Sequence, residues 1–207
     1  MKKNIIYLCF CLFFSMPCYS NILPELNTPV YRNILKKAEE AYNSIRTLKA
    51  KFAQFNSKIE NDLQTGDIYI AKPGNMRLVY EQGSPLEFYA VQGYFIYHDK
   101  EAQEVSYFDL EKTPVKLILE DKLSFDDPEF LVTDIKDILD EYFITVIKKE
   151  SPELGSLTLV LDKETFALKQ WDVLDIQNIK STVSLFDIEQ NVPMNWDIFT
   201  FKNPYKP

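Results

Sequence analysis

Between residues 68 and 109, apolar side chains recur at alternate positions in five short runs, 68–72, 76–81, 86–91, 94–98 and 104–109. Turn formers separate the runs: Pro73-Gly74, Gly83-Ser84-Pro85, Gln92-Gly93 and the polar stretch 99–103. A period of two with short connections predicts strands that pair antiparallel with their chain neighbours. Further runs at 142–148, 156–161, 167–174, 179–187 and 198–201 extend the pattern. Helical spacing is confined to three places. Tyr31, Ile34, Leu35, Ala38, Ala41, Tyr42, Ile45 and Leu48 form one stripe that starts after Thr28-Pro29. The stretch 113–121, with Thr113 as cap and Pro114 at the first helical position, predicts a short amphipathic helix. The stretch 132–140, with Ile135, Ile138 and Leu139 on one side, predicts another. So little helix covers only one face of a large sheet, a conflict that curling resolves. The expected fold is mostly β: an unclosed antiparallel β-barrel whose concave face is stoppered by helices, leaving a packed core or a cavity.

The first twenty residues read as a signal peptide: Lys2-Lys3, an apolar run from Ile5 to Met16, then Pro17-Cys18-Tyr19-Ser20. That run is shorter than the roughly 20 apolar residues of a membrane span. Cleavage after Ser20 leaves residues 21–207 as one domain with a sizeable core. It also removes Cys9, Cys11 and Cys18, the only cysteines, so disulfide and thiol chemistry go with it. Losing Lys2 and Lys3 takes the formal net charge from −8 to −10. A balance this acidic repels phosphates, so nucleic acid is not an expected partner, and it disfavours adsorption on anionic headgroups.

No catalytic constellation stands out. His98 is the only histidine, "YHDK" carries no G-x-S-x-G nucleophile signature, and the residue reads as a surface position at a strand end. A hydrolase would have to be built around His98 and nearby acids, and a metal site would need carboxylates to converge on it. The adjacent Asp126-Asp127, before Pro128, read as a solvated turn, not as an acid–base pair. Five glycines and no phosphate-cradling loop give nucleotide binding no support. What stands out is aromatic content, 15 Phe, 12 Tyr and 2 Trp, more than a sheet with one covered face needs.

"GDIYIAKPGNMRLVY" resembles the strand-turn-strand motif of the LolA family of periplasmic lipoprotein carriers. "VQGYFIYHDKEAQEV", "TPVKLIL", "GSLTLVLDKETFALKQWDVLDIQNIKSTVSLFDI" and "FTFKNP" agree with it in order. The resemblance implies an open barrel with a helical lid over a hydrophobic cavity, monomeric and without a cofactor. It places Tyr69, Met76, Leu78, Tyr80 and Tyr97 against acyl chains and Val115, Ile118 and Leu119 in the lid. It implies acylated lipoproteins as cargo, an ATP-driven inner-membrane exporter as donor and an outer-membrane acceptor. Members often carry arginine before the motif's proline to hold the lid; here that position is Lys72, a point charge in place of a planar fork. Asn178 stands where a glycine is expected and tolerates the same left-handed turn. A carrier of free lipid or glycolipid on the same scaffold, and a β-sandwich with a filled core, are the neighbouring readings.

Overall fold

The computed structural model describes residues 21–58, 63–81 and 83–206, so the expected signal peptide lies outside the described residues. Helix α1, Pro29–Asn43, starts as its sequence dictates: the Thr28 hydroxyl accepts from the Tyr31 N–H at 3.3 Å and proline occupies the first turn. Its apolar stripe, Ile34, Leu35, Ala38 and Tyr42, is buried. Eleven strands follow. They are β1 (Thr47–Asn56), β2 (Leu63–Ala71), β3 (Asn75–Tyr80), β4 (Leu86–Val91), β5 (Tyr94–Asp99), β6 (Glu104–Asp109), β7 (Phe130–Ile138), β8 (Glu141–Lys148), β9 (Ser156–Asp162), β10 (Leu168–Leu174) and β11 (Lys180–Gln190).

All pair antiparallel in one sheet ordered β6-β5-β4-β3-β2-β1-β11-β10-β9-β8-β7. Every neighbour is a chain neighbour except β1 and β11, whose pairing joins the two ends of the sequence in the middle of the sheet. At about 4.8 Å per strand, a flat sheet of this size would hold its edge strands roughly 48 Å apart. Yet Leu78 and Ala90 from one wing share a single buried cluster with Val132 and Ile144 from the other. The sheet therefore curls without closing, as the sequence predicts, and chain 110–129 crosses the mouth between β6 and β7.

Two expected elements change type. The stretch read as a helix at 132–140 is strand β7 and its following turn. A register shift between Val132 and Asp134 inserts one extra residue, so Val132 and Ile135 both reach the core three positions apart and mimic helical spacing. Ile138 and Leu139 are exposed, and Leu139 sits in the turn at φ +52°. The run 198–201 is not a strand: Trp196–Phe199 forms a 3-10 helix started by the Asn195 side chain, which accepts from the Asp197 N–H. Asn178 does adopt the left-handed turn, at φ +58°.

The C-terminal segment lies across the convex side of β3 to β5. There Arg77 Nη1 donates to the Ile198 carbonyl at 3.1 Å and the rings of Tyr89 and Phe201 meet at 5.1 Å. His98 is buried beneath it and not at the surface, with Nδ1 3.1 Å from Glu87 Oε2 and Nε2 3.3 Å from the Tyr205 hydroxyl. Burial pushes the Glu87 carboxyl up, but hydrogen bonds from Lys100 and His98 and the charges of Lys100 and Arg77 outweigh it and hold the group below its usual range.

Candidate functional site

The concave face is built by strand register. Ile68, Leu78, Phe88 and Tyr97 stand directly opposite one another across β2, β3, β4 and β5. Ile70, Met76, Ala90 and Phe95 form the row beside them. Because the side-chain period is two, residues between these face the other way. Tyr69 is opposite Arg77 and Lys49 and so lies on the convex face, which corrects its expected place among the acyl-chain contacts. Met76, Leu78, Tyr80 and Tyr97 lie on the concave face.

Depth varies along each row. Ile68, Ile70, Met76, Leu78 and Ala90 are buried in one cluster with α1 and the mouth-crossing segment, whereas Tyr80, Phe88, Phe95 and Tyr97 are half-buried. These four and Phe52 form a continuous aromatic ladder, with centroid separations of 5.1 Å (Phe52–Tyr80), 5.7 Å (Tyr80–Phe88), 5.2 Å (Phe88–Tyr97) and 5.6 Å (Phe88–Phe95). Separations of 4.5–7 Å are the favourable range for tilted and edge-on ring pairs. Gly66 lets β2 into this corner: a Cβ there would sit 2.1 Å from the Val79 carbonyl oxygen and 2.9 Å from the Phe52 ring.

The expected lid helix at 113–121 is a 3-10 helix, Pro114–Leu119. The Thr113 side chain makes no capping hydrogen bond; its hydroxyl donates to the Leu110 carbonyl instead. Leu117, Ile118 and Leu119 are buried and Val115 is half-buried. The lid therefore seats three apolar side chains in the barrel, including Leu117, which the i, i+3, i+4 stripe omitted. Among the described residues, the concave face is packed beneath Leu117, Ile118 and Leu119, and an open pocket of about 550 Å³ lies beside Tyr80 and Tyr97. A crevice of about 20 Å³ remains between Leu117 and Phe130, Val146 and Leu157, room for about one water by this measure.

Hydrogen bonds fasten the lid at identifiable points. Tyr42 on α1 donates its hydroxyl to the Ile118 carbonyl at 2.5 Å, and the Gly74 N–H at the β2–β3 turn donates to the Leu119 carbonyl at 2.9 Å. Gly74 has φ +76°, a conformation that favours glycine. Asn43 grips Leu123 twice, accepting from its N–H and donating to its carbonyl, each at 2.8 Å, and Glu39 accepts from the Phe125 N–H at 2.6 Å. Glu39, Tyr42 and Asn43, at spacings of three and four, line one face of α1 toward this segment.

Lys72 does not touch the lid backbone itself. Its Nζ donates to the Tyr42 carbonyl at 2.9 Å and lies 3.8 Å from the centre of the Tyr42 ring. It holds the residue that holds the lid, and the contact combines a charge-assisted hydrogen bond with a cation–π contact. Burial pulls the Lys72 ammonium down to about 8; nearby Arg46 adds to this and Asp121 opposes it. Burial pushes the Tyr42 phenol far above its ordinary value, so it remains a hydrogen-bond donor. Sequence reasoning read Tyr42 only as part of an apolar stripe, since nothing local marks the helical tyrosine that meets the lid.

The family model for "Outer membrane lipoprotein carrier protein LolA" matches residues 43–202. The chain belongs to the LolA family. No curated protein matches it. Among solved structures, a DUF1329 family protein from Desulfovibrio piger is similar in fold, with a TM-score of 0.50 at 7% identity over 82% of this chain and 96% of that one. A LolA superfamily protein from Nitrosomonas europaea gives 0.46 at 8% identity over 81% and 97%. A putative outer membrane lipoprotein-sorting protein domain from Vibrio parahaemolyticus gives 0.48 at 8% identity over 80% and 95%. Among the described residues, no helix is long and apolar enough to cross a membrane.

Proposed function

We propose that the protein is a periplasmic carrier of acylated lipoproteins, taking their acyl chains from an ATP-driven inner-membrane exporter and passing them to an outer-membrane acceptor. The observation that carries this reading is an apolar concave face closed by a short 3-10 lid whose last two carbonyls are held by Tyr42 and Gly74. Withdrawing one methylene from water is worth about 0.8 kcal/mol, so a whole chain represents roughly 10 kcal/mol. A rigid hollow would keep such a ligand. A self-packed face does not, because displacing Leu117, Ile118 and Leu119 subtracts from the net affinity and leaves the cargo transferable. The half-buried ladder of Tyr80, Phe88, Phe95 and Tyr97 is where a chain would first touch, with Met76 and Leu78 reached once the lid lifts. The carriage of free lipid or glycolipid uses the same face and differs only in cargo.

A hydrolase centred on His98 gains nothing from the geometry, because both its ring nitrogens are engaged beneath the C-terminal segment on the face opposite the lid. Phe88→Glu tests the carrier reading with less damage to the core than a change at buried Leu78. The variant should fold, keep its circular dichroism, and lose lipoprotein co-purification from the periplasm by at least tenfold. Undiminished co-purification by a folded Phe88→Glu protein would overturn the assignment, and recovery of free lipid without lipoprotein would change the cargo.

A further inference from the structure

The two edges of the sheet are treated differently. At β7, residues 21–23 add a short parallel bridge: the Val132 N–H donates to the Asn21 carbonyl at 3.0 Å and the Leu23 N–H to the Val132 carbonyl at 3.3 Å. At β6, strand pairing is with β5 alone, in unbroken register, and among the described residues the far side of the strand makes no other backbone hydrogen bond. Natural edges are usually blunted by lysine, proline or a bulge. The sequence of β6, EVSYFD, has no lysine or proline.

Each face of this edge carries one exposed aromatic ring. Tyr107 points to the convex side and Phe108 to the concave side, 44% and 51% exposed. Beside Tyr107 lies a groove of about 490 Å³ walled by Tyr94, Ile96, Tyr107, Trp196, Phe199 and Phe201, with Asn75, Gln92 and Thr200 among its polar lining. Tyr94 and Trp196 are also at least half exposed. The chain around the edge is acidic: residues 99–112 hold Asp99, Glu101, Glu104, Asp109 and Glu111 against Lys100 and Lys112. Lys100 is engaged with Glu87 at 2.9 Å and Lys112 lies near Asp109 at 3.9 Å, while Glu111 is paired with Lys116, so Glu104 and Asp109 are the acids at the two ends of the strand. Two-fold pairing of β6 with a second copy would bring Glu104 of one chain toward Asp109 of the other, in molecules that already repel through a net charge of −8.

We propose that β6 is a docking edge for a partner protein, which adds one extended strand with apolar side chains over Tyr107 and Phe108 and lysine or arginine at its ends against Asp109 and Glu104. Backbone pairing supplies affinity, and the aromatic groove and acidic ends supply selectivity. The site lies along the sheet edge, with its groove on the convex face and only Phe108 reaching the concave side, beside Phe95 at the outer end of its row.

A blocked hexapeptide, Lys-Val-Leu-Ile-Val-Lys, titrated into the protein tests this. It should shift the backbone amide signals of 104–109, slow exchange of the outward-facing β6 amides at least tenfold, and blue-shift Trp196 emission. Glu104→Lys combined with Asp109→Asn, which keeps an acceptor for the Glu111 N–H that starts the following 3-10 turn, should weaken binding at least tenfold. Absence of binding would overturn the proposal. So would equal binding by the glutamate-ended peptide or by one N-methylated at alternate residues, signal changes centred on β7 or the concave face, or dimerisation of the protein through β6 without peptide.

Discussion

At the scale of single residues, Tyr42 and Lys72 act in series, and the two can be separated. Tyr42→Phe leaves the Ile118 carbonyl without its donor, a loss of about 1–3 kcal/mol. Weakening the closed state should raise affinity for an apolar dye by up to about tenfold, the equivalent of about 1.4 kcal/mol. Thermal unfolding and dye titration read the two effects together. Lys72 titrates near 8 in the fold and near 10.5 when unfolded, so between those values the unfolded chain binds more protons and stability rises with pH. Lys72→Arg keeps its charge throughout this range and should lose that rise, so the unfolding free energy of wild type minus that of the variant should grow from pH 8 to 10.5. A difference that stays flat from pH 8 to 10.5 would contradict the assigned position of Lys72. Glu39 is the mirror case. Burial, outweighing the hydrogen bond from the Phe125 N–H, raises its carboxyl above the ordinary value, so the charged form costs stability that returns as pH falls toward the raised value. Glu39→Gln keeps an acceptor for that N–H and should raise the melting temperature at pH 7. The sequence marked Lys72 because it precedes Pro73 in a motif. It gave Tyr69 to the wrong face, because a residue one step off register changes sides.

At the scale of elements, the lid is six residues of 3-10 helix, too short to be stable by its own hydrogen bonds, so its position depends on what it packs against. Ile118→Asp puts a carboxylate where the side chain is fully buried. It should release the segment and increase dye fluorescence several-fold while the sheet's circular dichroism persists; an unchanged dye response would show that the lid does not gate the concave face. The hairpins were legible because alternation and turn residues lie close together in the chain. Strand β7 was not, because a bulge between Val132 and Asp134 gave it helical spacing. The β1–β11 pairing was equally hidden, since it joins segments more than 120 residues apart with no local signal.

At the scale of the whole molecule, curling places an apolar wall on the inside of an acidic protein and uses α1 and a lid, not a twelfth strand, to fill the mouth. The curl was legible from the mismatch between strand and helix content. The filling was not: composition cannot distinguish a hollow from a face packed by its own lid, and here Leu117, Ile118 and Leu119 occupy the space. The account requires that an acyl chain displace them. A stearate carrying a spin label near its methyl end measures this most directly through paramagnetic broadening of methyl signals. Broadening of Met76, Leu78 and Ile118, with the ladder beside them, is the predicted result. Broadening confined to the convex groove around Trp196, or none at saturating probe, would contradict it.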